Sequence, residues 1–179
     1  YTSTKRVTFS AMERGASLFG KATLVMDRGY DDNKMFLKLD ALKQDYVIRL
    51  KSNRKLFYHN KWVMATELRN RRKGKVRMPL YYKGKTHDAY LSHVKVQITA
   101  SKKDVYLVPV YGITEHPMML ANNKDIKSKE DVIAVAKQYF SRWKIEEYFR
   151  CKKQMFQFEN FRVRRHTAIN ALNFYITLC

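Results

Sequence analysis

Cysteine is scarce. The chain has two, Cys151 and Cys179; they form no CxxC, and neither stands near a histidine at a metal-ligand spacing. A disulfide framework is therefore excluded, and a reducing, cytoplasmic compartment fits. Long apolar runs are also lacking. A membrane-spanning helix needs about 20 apolar residues, and the nearest candidate, 168–179, is short and carries Asn170 and Asn173. It reads as a core helix. No secretory leader is expected from the opening residues. Acids are few: 16 Asp and Glu against 36 Lys and Arg, for a net charge of +20, and none precedes Glu13. Such an imbalance calls for a polyanionic partner. A solubilising surplus or an anionic membrane surface would carry the same sign, but the basic residues alternate with aromatics, as nucleic-acid surfaces do.

What is present suffices for a packed domain. Hydrophobic residues make up 45% of 179, enough for one domain, or one with an insertion. The chain begins at Tyr1 and stops inside an apparently helical run, so it reads as a piece of a longer protein. A helix is expected over 9–21 with Met12, Ser17 and Leu18 facing inward. The apolar run 22–26 reads as a buried strand ending at Asp27, and in open α/β sheets ligand-binding groups gather at such strand ends. Asp27 could instead cap the following helix, but Asp31 or Asp32 is better placed for a helix over 33–43. Residues 45–51 form a second strand, parallel to the first.

Residues 55–125 are strand-rich. Val94, Val96 and Ile98 alternate with Lys95, Gln97 and Thr99; 76–82 and 105–111 are similar, and Gly74, Gly84 and Gly112 mark turns. The basic stretch 69–75 is a candidate for phosphate contact or a solvated loop. His87, His93 and His116 have no ligand spacing, and Trp62 reads as a core aromatic.

Ser128 and Asp131 form a capping box that starts a helix near Lys129. Read as one helix to Lys153, it carries Tyr139, Arg142, Glu146 and Lys153 within an arc of about 60°. A carboxylate flanked by two cations and a phenol suits a divalent metal beside bound phosphate. A Glu–Arg pair is also common on solvated helices, but Val132, Val135, Ala136, Phe140, Trp143, Ile145, Tyr148 and Phe149 spread apolar groups nearly all round and predict packing on most sides.

The spacing Tyr-two-Arg-three-Glu-six-Lys resembles the signature of the DDE transposases of the insertion-sequence-4 group, which includes the Tn5 and Tn10 transposases. The phrases VMDRGYDD and DYVIRLKSN resemble the block around that group's second catalytic aspartate. The resemblance implies an α/β fold with a ribonuclease-H-like core, incomplete at its N-terminus. Residues 1–54 would hold the second-aspartate part of the core, 55–125 a β-rich insertion, and 126–179 the helices with the signature. By the same resemblance Asp27 and Glu146 are catalytic metal ligands for two Mg²⁺ or Mn²⁺ ions, and the first aspartate lies upstream. Tyr139, Arg142 and Lys153 would hold DNA phosphates. Met118 stands where the family has a base-stacking Trp, and could wedge against a base. Arg162 and Arg164 form a second basic strip. The implied activity is cut-and-paste transposition on double-stranded DNA, by a homodimer associated with the nucleoid and no membrane. The piece alone is expected to bind DNA without cutting it. A non-catalytic DNA-binding remnant, or another ribonuclease-H-like nuclease, is the alternative.

Overall fold

The computed structural model describes residues 4–82, 84–155 and 165–178. Two units divide the chain, Tyr1–Phe140 and Ser141–Cys179.

The first unit opens with α1 (Thr4–Phe19), β1 (Thr23–Met26), a single 3-10 turn (Arg28–Tyr30), α2 (Asn33–Ala41) and β2 (Asp45–Arg49). There follow β3 (Lys55–Tyr58), β4 (Lys61–Met64), α3 (Ala65–Asn70), β5 (Val76–Tyr82), β6 (Lys85–Leu91), β7 (Val94–Ile98), β8 (Lys103–Tyr111), β9 (Met118–Asn122) and α4 (Lys129–Ser141). All nine strands join one sheet in the order β1-β2-β9-β8-β7-β3-β4, with β5 and β6 branching from β8. The expected parallel pair is present, with Thr23 opposite Asp45 and Met26 opposite Ile48. The remaining pairings are antiparallel, and β9 bonds β2 directly, with Val47 opposite Asn122.

Side-chain alternation sorts the sheet's residues into two cores. Tyr46, Ile48, Val105, Leu107, Met119 and Ala121 face one core with Met12, Phe36 and Leu39. Val47, Val108, Val110, Met118 and Leu120 face the other with Val132, Val135, Ala136 and Tyr139 of α4. Helices thus cover both faces, which is why β2 and β9 read as apolar runs.

Several sequence expectations need correction. On α1, Met12 is buried but Leu18 is 67% exposed, and Ser17 is exposed too. The helix turns Phe9, Met12 and Ala16 inward, and at about 100° per residue Leu18 points away from Phe9. The helix expected over 129–153 breaks at Arg142 into α4 and, in the second unit, α5 (Trp143–Met155). The Ile145 N–H bonds the Arg142 carbonyl at 3.1 Å, a three-residue step tighter than the α-helical one; no Pro or Gly marks the spot. The expected all-round packing is not found: α4 buries one face, with Ala134 and Lys137 exposed on the other, and on α5 Ile145 and Phe149 are about half exposed. Likewise α6 (His166–Leu178) is no core helix over its described side chains, which are exposed or half-buried, Phe174 at 60%.

Candidate active site

Three aspartates follow β1 within six residues, and each does something different. Asp32 is the N-cap of α2: its Oδ1 accepts from the N–H groups of Lys34 at 2.8 Å and Met35 at 3.3 Å. The charged hydrogen bond from Lys5, with those backbone bonds, holds its carboxyl below the usual carboxylate range. Asp31 is fully buried. Its Oδ2 accepts the Lys51 N–H at 2.6 Å, and its Oδ1 accepts the Arg54 guanidinium at 2.7 Å from Nε. Arg54 also reaches Asn33 Oδ1 at 2.6 Å and lies 5.5 Å from the Phe36 ring centroid. The pair therefore ties the segment after β1 to the end of β2 and the start of β3.

Asp27 is the half-buried acid that closes β1. Its backbone is extended, and Oδ1 accepts the Arg28 N–H at 2.7 Å, capping the 3-10 turn. The same oxygen accepts the hydroxyl of Tyr139 at 3.3 Å. Tyr139 is 4% exposed, and its ring meets Phe140 edge-on. A bond across 112 positions thus joins the aspartate block to the first residue of the signature on α4. Neither segment's own pattern announces that contact.

The start of α4 follows the expected capping box. Asp131 Oδ2 accepts the N–H groups of Lys127 and Ser128, both at 2.9 Å, and the Asp131 N–H reaches Ser128 Oγ at 3.3 Å. These backbone bonds hold the Asp131 carboxyl below its ordinary range. The cap fixes the register that turns Tyr139 toward β1.

In the second unit, Arg142 donates to Glu146 Oε1 at 2.6 Å, and both are partly exposed. Lys153 is exposed, whereas its neighbour Lys152 is 6% exposed. The Lys152 ammonium donates to Asn173 Oδ1 at 2.8 Å and lies 4.8 Å from the Tyr148 ring centroid. Sequence spacing singled out Lys153 and passed over Lys152. Tyr139 belongs to α4, Arg142 stands at the break, and Glu146 and Lys153 belong to α5.

Residues 10–179 match the profile of a family described as a transposase DDE domain. The chain belongs to that family. No curated protein matches it. A DDE transposase domain implies an endonuclease and strand-transferring enzyme with DNA as its partner, and the mixed α/β sheet fits that family. Among the described residues, no helix of this transposase domain is long and apolar enough to cross a membrane.

The family implies divalent metal. The donors available on Asp27 and Glu146 are carboxylate oxygens, which suit a hard cation such as Mg²⁺ or Mn²⁺. No group of three His, Cys, Asp or Glu side chains gathers among the described residues. Of the other expected DNA contacts, Met118 is placed elsewhere: it is 3% exposed, paired with Val110 on β9 and packed in the α4-side core. So buried, it has no face to offer a base. Arg162 and Arg164 lie outside the described residues.

Proposed function

We propose that this domain carries out cut-and-paste DNA transposition of the insertion-sequence-4 type, with Asp27 and Glu146 as its second and third catalytic acids. The observation that supports this most is the Tyr139 hydroxyl on Asp27 at 3.3 Å. It brings the residue that opens the signature to the acid at the carboxyl end of β1, and such strand ends are where α/β sheets build their sites.

Asp27 and Glu146 would hold two Mg²⁺ or Mn²⁺ ions, which supply an activated water or DNA 3′-hydroxyl and stabilise the leaving oxygen. The chain's own residues prepare the acids. Tyr139 and the Arg28 N–H hold Asp27 Oδ1 in one orientation. Arg142 pairs with Glu146 Oε1 and holds that carboxylate in one place. A guanidinium so placed can also take a DNA phosphate in bidentate fashion, and the exposed Lys153 can take another. In this reading 1–54 and 126–179 belong to a ribonuclease-H-like core and 55–125 is an insertion stitched to it through β9. The full-length protein would act as a homodimer on paired transposon ends, in the cytoplasm at the nucleoid.

Glu146→Gln tests the assignment. In the intact protein the variant should bind transposon-end duplex as before and cut none of it. Cutting at the unaltered rate would refute the role given to Glu146.

A further inference from the structure

The basic stretch 69–75 is not used by the site above, yet it is built rather than loose. It lines an open cavity of about 750 Å³ with Tyr58 and His93, and contributes Arg71, Arg72, Lys73 and Lys75 to the wall. No acid is among the lining residues; Glu67 meets Arg71 from outside at 3.6 Å. The backbone of the stretch is pinned. The Tyr111 hydroxyl lies 2.6 Å from the Arg69 carbonyl and 2.9 Å from that of Arg72. Arg72 braces the wall, its guanidinium reaching the His93 carbonyl at 3.2 Å and the Tyr58 hydroxyl at 3.4 Å. Gly74 lies so close to Tyr90 that a Cβ there would fall 2.4 Å from the Tyr90 Cβ. Lys73 and Lys75 flank this point and are exposed.

We propose that this groove is a second DNA-binding site, a clamp for the phosphodiester backbone of duplex DNA at a distance from the cleaved bond. A concave wall of one charge concentrates its field on a polyanion. The fixed backbone means that the cations are presented without an ordering cost on binding. The chemistry is phosphate contact, because the wall carries four cations, Arg71, Arg72, Lys73 and Lys75, and both lysines are exposed. Lys75 bonds Leu91 at the end of β6, which branches from β8 three strand steps from β1, and Tyr58 lies on β3 five steps away, roughly 14 and 24 Å at the usual strand spacing. The groove and Asp27 therefore cannot grip one phosphate; the groove sets where the duplex lies. Choice of DNA as the occupant rests on the proposed transposase activity.

The test measures binding of a random-sequence DNA duplex to the intact protein across a salt series. Each lost phosphate contact should reduce the slope of log K against log salt by about 0.9. Lys73→Gln/Lys75→Gln should therefore flatten it by about 1.8. Tyr111→Phe keeps every cation but frees the stretch, and should weaken binding about fivefold, the worth of one hydrogen bond. A control, Lys34→Gln/Lys43→Gln, removes the same charge from exposed positions on and just after α2 and should leave the slope unchanged. Circular dichroism confirms that each variant is folded. If the groove variants keep the unaltered slope, or the control flattens it equally, the clamp is refuted while DNA binding stands. If an RNA duplex binds more tightly than DNA through the same lysines, the assignment to DNA is overturned. If the unaltered protein shows no salt-dependent duplex binding, the transposase reading itself fails.

Discussion

Asp31→Asn should be among the most damaging isosteric changes in the domain. The carboxylate is fully buried, and Arg54 beside it is 14% exposed. One oxygen accepts from the Lys51 N–H; the other accepts Arg54 through Nε at 2.7 Å and a terminal nitrogen at 2.5 Å. An amide fits the space but not the pattern. If its oxygen faces Arg54, its NH₂ points at the Lys51 N–H. If it is flipped, its NH₂ points at the guanidinium. Either way donor meets donor, and Arg54 loses its buried counter-charge. Removing one member of a buried pair costs about 3–5 kcal/mol, a large share of the 5–15 kcal/mol that holds a typical domain. The thermal midpoint should fall by about 6–20 °C. Asp32→Asn, one residue on, is the control. Asn caps a helix as well as Asp does, and the ion pair it would lose, with Lys5, is exposed, so the midpoint should barely move. Thermal unfolding followed by circular dichroism reads both. Equal effects of the two substitutions, or a loss at Asp31 under about 1 kcal/mol, would refute the reasoning.

Asp40 is pushed above the ordinary carboxylate range by burial, with Lys103 opposing. A carboxyl so raised adds stability only at low pH and loses it as pH climbs through its folded value. Asp40→Asn should therefore raise the urea midpoint at pH 7, with a gain that shrinks below about pH 4; a lowered midpoint at pH 7 would contradict this. Gly112 has φ +83° and no room, since a Cβ would fall 2.4 Å from the Asp88 carbonyl oxygen. Gly84 has φ +80° with open space around it. Gly84→Ala should cost only the left-handed backbone penalty of about 1–2 kcal/mol, and Gly112→Ala clearly more; equal losses in urea unfolding would be evidence against the packing described.

Local pattern made much of the first unit legible. Period-two alternation located β7 and β8 to within two residues and the span of β5 to the residue, and the two apolar runs 22–26 and 45–51 gave the parallel pair. The capping box placed the start of α4. What escaped was set by tertiary context. Met118 sits on a strand whose five residues are all buried because β2 and β8 flank it, so no alternation marked it as core. Asp31 looked like a helix cap because its partner Arg54 is 23 positions away. The break at Arg142 carries no proline or glycine signal, so residues that read as one helix on paper fall on α4, at the break and on α5. Asp27 stood out as an acid at a strand end, but the bond from Tyr139 was invisible until the sheet and α4 were in place.

The account turns on Asp27 and Glu146 acting together, and a double-mutant cycle on DNA cleavage tests that most directly. Asp27→Asn, Glu146→Gln and the double variant of the intact protein would be compared on a transposon-end duplex with Mg²⁺. Acids that serve one reaction as a unit are strongly non-additive, so the double variant should be no slower than the slower single one. Losses that multiply, or a single variant that cuts at the unaltered rate, would contradict the account.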